Sequence, residues 1–395
     1  MKTISFLTSY GGQLFNPEND IDGSPGCFGS ELALFEVGRR LGALTESNTP
    51  KYKISVYIAK PAGYFFYKWN MTWRSSEDWD KDTINQSPPV APDIVVVCRY
   101  MNIFLDYTIP HTSKIVVWAH DPYFLPQWNG TYIADSLIAN CVPFVNHWIT
   151  VGDCQMLEKL APRYNIPLAK QKSSQESEYY ECNPFLISDK NNSITTMPTY
   201  TAIRNGITLE RNFDPMNTKR QPLSFVYCSC PTRGLWILLE KWSLIKKHFP
   251  EATLSIYYTK SDESAQKFKP YENDPSIQYI GKVSQKVLFN KLKETDYWPY
   301  FCTFESCCTN SIENNYYGPI VLARAIGGLK ENCLTDSLIR EEDPDKWYDE
   351  MINRIKYLET HPEEKRDLRQ RQFTFASLQT WDNRIPTWTK TLDNL

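Results

Sequence analysis

Asp93-Ile94-Val95-Val96-Val97-Cys98 and Lys114-Ile115-Val116-Val117-Trp118 decide the fold class. Each is a short apolar run in which β-branched residues dominate and no polar residue interrupts. A strand with one wet face alternates apolar and polar side chains. A strand covered on both faces does not, and such covering marks a parallel sheet flanked by helices. Working outward, strand-like runs occupy residues 2–8, 53–58 and 147–151. Between the first two of these lies a helical face, residues 30–41, with Leu32, Ala33, Leu34, Val37 and Leu41 at three- and four-residue spacing. Strand and helix alternate, so the class is α/β.

The rhythm breaks over residues 169–198, which are rich in Ser, Gln, Glu, Asn and Lys and read as a surface excursion. It then restarts. Leu223-Ser224-Phe225-Val226-Tyr227-Cys228 reads as a strand, and a helix follows from about Arg233 with Leu235, Leu238, Leu239, Trp242, Ile245 and Phe249 along one side. Strands at 253–258, 276–280, 297–301 and 319–323 enclose helices at 285–293 and 306–316, and the tail from 345 is mainly helical. The expected architecture is therefore two facing Rossmann-like domains with a central cleft. Residues 1–204 are expected to form the first domain and residues 205–377 the second, with a C-terminal helix of about 378–395 packing back on the first. Open α/β sheets bind ligands outside the carboxyl ends of their strands.

The length of 395 residues suits two hydrophobic cores better than one. A net charge of −3 leaves no basic footprint, so no nucleic-acid partner is expected. No run of about 18 apolar residues is present, so no transmembrane segment is expected. The first apolar run is too short for a secretion signal, which makes the cytoplasm the expected location. Eleven cysteines, an odd number without Cys-x-x-Cys pairs, read as reduced thiols. Asp78-Trp79-Asp80-Lys81-Asp82 satisfies an Asp-x-Asp metal pattern twice. It follows no legible strand and reads as a solvated acidic run, so no metal or other cofactor is expected.

The candidate chemistry lies in Phe304-Glu305-Ser306-Cys307-Cys308-Thr309-Asn310-Ser311-Ile312-Glu313. A strand ending near residue 301 delivers Glu305 to a sheet edge, and a helix starts just after it. Eight residues of helix rise about 12 Å, the reach from the ribose to the hexose of a nucleotide sugar. One carboxylate could hold sugar hydroxyls and the other ribose hydroxyls, with helix N-terminal amides at Cys307, Cys308 and Thr309 between them for the diphosphate. The spacing alone equally describes a loop carboxylate and a solvated helix carboxylate.

These residues resemble the C-terminal half of retaining glycosyltransferases with the GT-B fold, particularly the large family 4 (glycosyl transferases group 1) class. The family's Glu-x7-Glu, following glycine, Pro-Val strand and Gly-Gly loop are matched in order by Glu305, Glu313, Gly318, Pro319, Val321, Gly327 and Gly328. Upstream, Gly281-Lys282-Val283-Ser284-Gln285 resembles the loop packing near the base, and Thr295-Asp296-Tyr297-Trp298-Pro299-Tyr300 the strand entry before the Glu pair. Ala202-Ile203-Arg204-Asn205-Gly206-Ile207 resembles the Asn-Gly-Ile element ahead of the second domain, and Pro231-Thr232-Arg233-Gly234-Leu235 the phosphate loop. Trp381-Asp382 resembles the start of the family's last helix.

The resemblance implies a metal-independent transfer of a sugar from a nucleotide-sugar donor to an acceptor hydroxyl, with retention at the anomeric carbon. It implies that Glu305 positions donor hydroxyls, Glu313 holds the ribose, and Arg233 neutralises the leaving diphosphate, with Lys282 and Val283 near the base. In the N-terminal half, Gly26-Cys27-Phe28-Gly29-Ser30-Glu31 resembles the family's Gly-Gly-Ser-Glu loop, so Gly29 and Ser30 are expected to face the donor. Trp118-Ala119-His120-Asp121 resembles its Trp-x-His-Asp point, which places His120 beside the transferred sugar, with Asp121 available to orient the ring. Where the family commonly has a second basic residue, this chain has Cys228, and Tyr316-Tyr317 stands where small residues are usual. Those departures keep open a non-catalytic carbohydrate- or nucleotide-binding protein of the same fold. A nucleotide-sugar epimerase or a phosphorylase is the other alternative.

Overall fold

The structure is a computed structural model that describes residues 1–8, 16–20, 29–121, 144–160, 169–170, 180–181, 186–188, 194–196, 199–259 and 261–395. These fall into two compact units. The first draws on residues within 1–15, 28–205 and 384–395, and the second on 16–27 and 206–383.

The first unit is built on an eight-stranded sheet. Its strands are β1 (Lys2–Thr8), β2 (Tyr52–Ile58), β3 (Phe65–Lys68), β4 (Met71–Ser75), β5 (Ile94–Cys98), β6 (Lys114–Ala119), β7 (His147–Thr150) and β8 (Thr199–Ala202). They lie in the order β8-β7-β6-β5-β1-β2-β4-β3, all pairs parallel except the β3–β4 hairpin. All of Ile94–Cys98 is buried, as its unbroken apolar run demands. Helix α1 (Gly29–Ala43) follows β1 and buries Ala33, Leu34, Phe35, Val37 and Leu41. Each large apolar side chain so placed contributes roughly 1.5–3 kcal/mol.

One reading of the sequence needs correction here. Residues 63–87 contain the β3–β4 hairpin. Trp69 and Asn70 at its turn have φ of 57° and 58°, the left-handed pair that a two-residue hairpin turn requires. The acidic run at 78–82 therefore does follow a strand, and its carboxylates are not simply solvated. Asp78 accepts from the Gly63 N–H at 2.6 Å, and Asp82 pairs with Arg74 at 2.6 Å and accepts from the Tyr57 hydroxyl. Of the excursion at 169–198, the described pieces pair as two short antiparallel ladders, 169–170 with 180–181 and 186–188 with 194–196.

The second unit carries a six-stranded parallel sheet. Its strands β9 (Ser224–Tyr227), β10 (Thr253–Ile256), β11 (Ile277–Tyr279), β12 (Tyr297–Tyr300), β13 (Ile320–Arg324) and β14 (Leu338–Ile339) lie in the order β11-β10-β9-β12-β13-β14. Chain order reverses between β9 and β12. That makes their carboxyl ends the topological switch point, the place where sheets of this kind bind ligands. Helices α2 (Leu235–Glu240) and α3 (Trp242–His248) cover the sheet with Leu235, Leu238, Leu239, Trp242 and Ile245, the stripe the sequence periodicity identifies. Helices α4 (Gln285–Glu294) and α5 (Thr309–Tyr317) bracket β12, and α6 (Pro344–Thr360) and α7 (Pro362–Ser377) complete the unit. The last helix, α8 (Trp381–Asp393), has its final ten residues in the first unit. There Trp388 meets Trp118 edge-on at 4.7 Å, and Asp393 accepts from Lys51 and the Tyr52 hydroxyl at 2.6 Å each.

All eight cysteines among the described residues are free thiols, most of them buried. Among the described residues no helix is long and apolar enough to cross a membrane.

Candidate functional site

Two loops leave the switch point of the second sheet. The first follows β9, turns through a short 3-10 segment at Pro231–Arg233, and enters α2 at Gly234. Gly234 has φ +144°, and a Cβ there would overlap the carbonyl oxygen of Phe301 on the second loop. Glycine is obligatory at that contact on both counts. Gly234→Ala should lower stability by about 3 kcal/mol or more. Urea unfolding is the check, and a midpoint like that of the wild type would mean the loops are not in contact.

The second loop runs from β12 through Glu305 to α5. The sequence predicts a helix from residue 306; it begins at Thr309. Cys308 sits in the left-handed region at φ 58°, a conformation that ends any helix extended backwards from Thr309. Glu305 is therefore on the loop and Glu313 in the body of α5. From 309 to 313 the helix rises only about 6 Å, so the 12 Å helical separation inferred from spacing does not describe this pair.

The loop is held on several sides. The Glu305 carbonyl accepts from the Gly328 N–H at 2.7 Å, and a Cβ on Gly327 or Gly328 would run into the loop backbone. Asn332 donates to the Cys307 carbonyl and reaches the Cys307 sulfur at 3.4 Å. Arg233 reaches across from the first loop and donates Nη1–H to the Phe304 carbonyl at 2.9 Å. The two loops are thus joined by a guanidinium as well as by direct backbone contact.

Glu305 is 8% exposed, and its Oε1 accepts from the hydroxyl of Tyr300, the last residue of β12. That hydroxyl also lies 2.9 Å from Ser229 Oγ on the first loop. Burial and the Glu305 charge push the Tyr300 phenol far above its usual range, so its proton stays on oxygen and is donated.

Glu313 is 6% exposed on a helix whose residues 311–317 are all buried. Loss of water pushes its carboxyl up to about 7, and nothing opposes that push: among the described residues no donor or cation offsets it. On the same helix Asn310 donates to the Cys228 carbonyl, and Asn314 reaches the Cys228 sulfur at 3.6 Å. Cys228 is in the core, its thiol pushed up to about 12 by burial, so the position supplies no positive charge. Lys282 and Val283 lie on the loop entering α4, after Gly281 at φ +94° and ahead of Ser284, which caps the helix. Val283 packs partly on the core. Cys308 and Thr309 start α5, where the Cys308 carbonyl accepts from Ser311 N–H at 2.9 Å and Ser311 Oγ at 2.8 Å.

The remaining candidates belong to the first unit. Gly29 and Ser30 open α1. Gly29 is exposed with open space where a Cβ would stand, and Ser30 Oγ donates to Glu31 Oε2 at 3.0 Å. Residues 26–28 of that loop lie outside the described residues. His120 follows β6. Its ring packs 4.5 Å from Trp118, and Nε2 is buried without a hydrogen-bond partner among the described residues. Desolvation holds the imidazole down at about 3, so it is neutral. The Asp121 carboxylate does not orient it. That carboxylate instead takes Arg99 Nε at 2.7 Å. Arg99, which sequence reasoning missed, stands at φ 74° directly after β5, beside the first sheet's own switch point.

Tyr300 and Ser229 were missed as well. A tyrosine in a wholly buried strand must find a partner for its hydroxyl, and that was the available signal.

No protein-family model matches the chain, and a search of curated proteins finds no match either. Solved structures do match along its whole length. Sucrose-phosphate synthase from Thermosynechococcus elongatus superposes with a TM-score of 0.66 at 10% identity, covering 100% of this chain and 99% of the other. HepE from Anabaena, solved with UDP-glucose, gives 0.61 at 12% identity with 100% of both chains covered. The E. coli trehalose-6-phosphate protein bound with UDP-2-fluoro glucose gives 0.64 at 10% identity with 99% of both covered. At these identities the likeness establishes the fold, and the chain has the two-domain GT-B fold.

Proposed function

We propose that this protein is a retaining, metal-independent glycosyltransferase that moves a sugar from a nucleotide-sugar donor to an acceptor hydroxyl. The observation that carries the reading is the second unit's switch point. Arg233, bonded to the Phe304 carbonyl, the tyrosine-held carboxylate of Glu305 and the buried carboxylate of Glu313 lie on the loops and the helix that follow β9 and β12 there.

Arg233 and the first amides of α5 are assigned to the diphosphate, whose charge grows as the donor bond breaks. Glu305 is assigned to hydroxyls of the donor sugar and Glu313 to the ribose, with Lys282 and Val283 toward the base. From the first unit, the neutral imidazole of His120 is assigned to a sugar hydroxyl, and Gly29 and Ser30 to close approach of the donor. In the transfer, the bond from the anomeric carbon to the diphosphate oxygen breaks and its electron pair leaves with that oxygen. The acceptor oxygen bonds to the same face of the carbon, and its proton passes to the departing diphosphate. No metal or cofactor is assigned. Solved relatives of the fold carry UDP-glucose and its fluoro analogue, which makes UDP-sugars the first donors to try.

The test is a thermal-shift panel of nucleoside diphosphates and nucleotide sugars. A ligand at a hundred times its Kd adds about 2.7 kcal/mol of stability. At least one member should shift the wild type, with smaller shifts for Arg233→Ala and Glu313→Ala. Silence across the panel would end the proposal. The core placement of Cys228, which removes a cation usual in the family resemblance, favours one rival: a protein that binds such ligands without turning them over. Binding without donor hydrolysis or transfer would establish that rival.

A further inference from the structure

We propose that Tyr300 is a positioning residue for Glu305, fixing the carboxylate and tying it to the phosphate loop through Ser229. The inference rests on the glycosyltransferase reading and adds to it a residue that the sequence motifs do not assign.

The geometry is specific. Tyr300 is the last residue of β12, and its side chain is completely buried. Its ring stacks on Trp298, two residues earlier on the same strand face, at 4.5 Å and 14° between planes, and Tyr227 of β9 lies 6.0 Å away on the tilt. A phenol clamped between strand neighbours has no rotameric freedom, so its oxygen is a fixed point at the switch of the sheet. That point meets one residue from each ligand loop, Ser229 Oγ at 2.9 Å and Glu305 Oε1. Because the phenol proton goes to the carboxylate, Ser229 is left to donate to the phenol oxygen. The chain of hydrogen bonds runs from Ser229 through Tyr300 to Glu305.

A carboxylate that accepts a hydrogen bond from a donor fixed in the sheet has its orientation set. Strengthening a hydroxyl contact as positive charge develops on the sugar requires that orientation to be fixed before reaction. Tyr300 thus acts on turnover, whereas Glu313 acts on holding the nucleotide. A phenylalanine keeps the stacking and removes only the hydroxyl.

The experiment measures Tyr300→Phe and, as a second variant on a half-buried loop position, Ser229→Ala. The probes are UDP-, GDP- and ADP-glucose for turnover and the matching diphosphates for binding. Tyr300→Phe should lower kcat about 30-fold, with KM for the donor and Kd for the diphosphate within about threefold of wild type. Ser229→Ala should follow the same split with a smaller fall. A kcat for Tyr300→Phe within about threefold of wild type overturns the inference while leaving the transferase reading intact. So does a parallel loss of kcat and diphosphate affinity, which marks a merely structural role. A wild type inert toward all three donors fails at the transferase reading itself and takes this inference with it.

Discussion

Replacing Glu313 with glutamine should make the protein more stable, by on the order of 3 kcal/mol above pH 7, and impair nucleotide binding at the same time. The folded carboxyl is raised from 4.5 to about 7 by burial. A raised acid opposes folding wherever the unfolded chain would ionise it. The cost is absent below pH 4.5, grows between 4.5 and about 7, and is constant above that. Glutamine carries no charge at any pH, so the variant's advantage should follow that course. Urea unfolding at pH values from 4.5 to 8 measures it, and parallel curves for the two proteins would refute it. An amide cannot replace a carboxylate as a double acceptor, so ribose hydroxyls should hold the variant less well. A residue whose removal strengthens the fold and weakens the ligand is retained for the ligand.

Arg233→Ala should reduce kcat/KM by about 10²–10³, or roughly 3–4 kcal/mol of transition-state stabilisation. Two effects combine. The guanidinium is the cation assigned to the departing diphosphate, and Cys228 supplies none in support. Arg233 also bonds the Phe304 carbonyl, next to Glu305, so its loss removes one of the ties that hold the second loop. Arg233→Lys separates the two: a charge remains while the forked geometry is lost, and activity should fall between alanine and wild type. Steady-state kinetics with the responsive donor decide this, and an alanine variant within fivefold of wild type would contradict the assignment.

The sheet was largely legible because burial on both faces writes itself into composition. Ile94–Cys98 and Lys114–Ala119 could hardly be anything but inner strands. The β3–β4 hairpin escaped because its turn is Trp69-Asn70, without the glycine that usually marks such turns. The start of α5 was misplaced because Cys308, not glycine or asparagine, adopts the left-handed conformation. In each case an ordinary residue does a job that composition assigns to a special one. The positions of Arg233, Glu305 and Glu313 in the fold could be stated from motif order. Their partners could not, since Tyr300, Ser229 and Phe304 become neighbours only when β9 and β12 lie side by side.

The abutment of Gly234 on the Phe301 carbonyl has a mechanical consequence. With no side chain between them to compress or rotate, the two backbones behave as a single stiff hinge plate. Under the proposed assignment, a phosphate that pulls on residues 231–234 would drag 301–304 with it, so that docking of one end of a donor would be felt as a push on the carboxylate at the other.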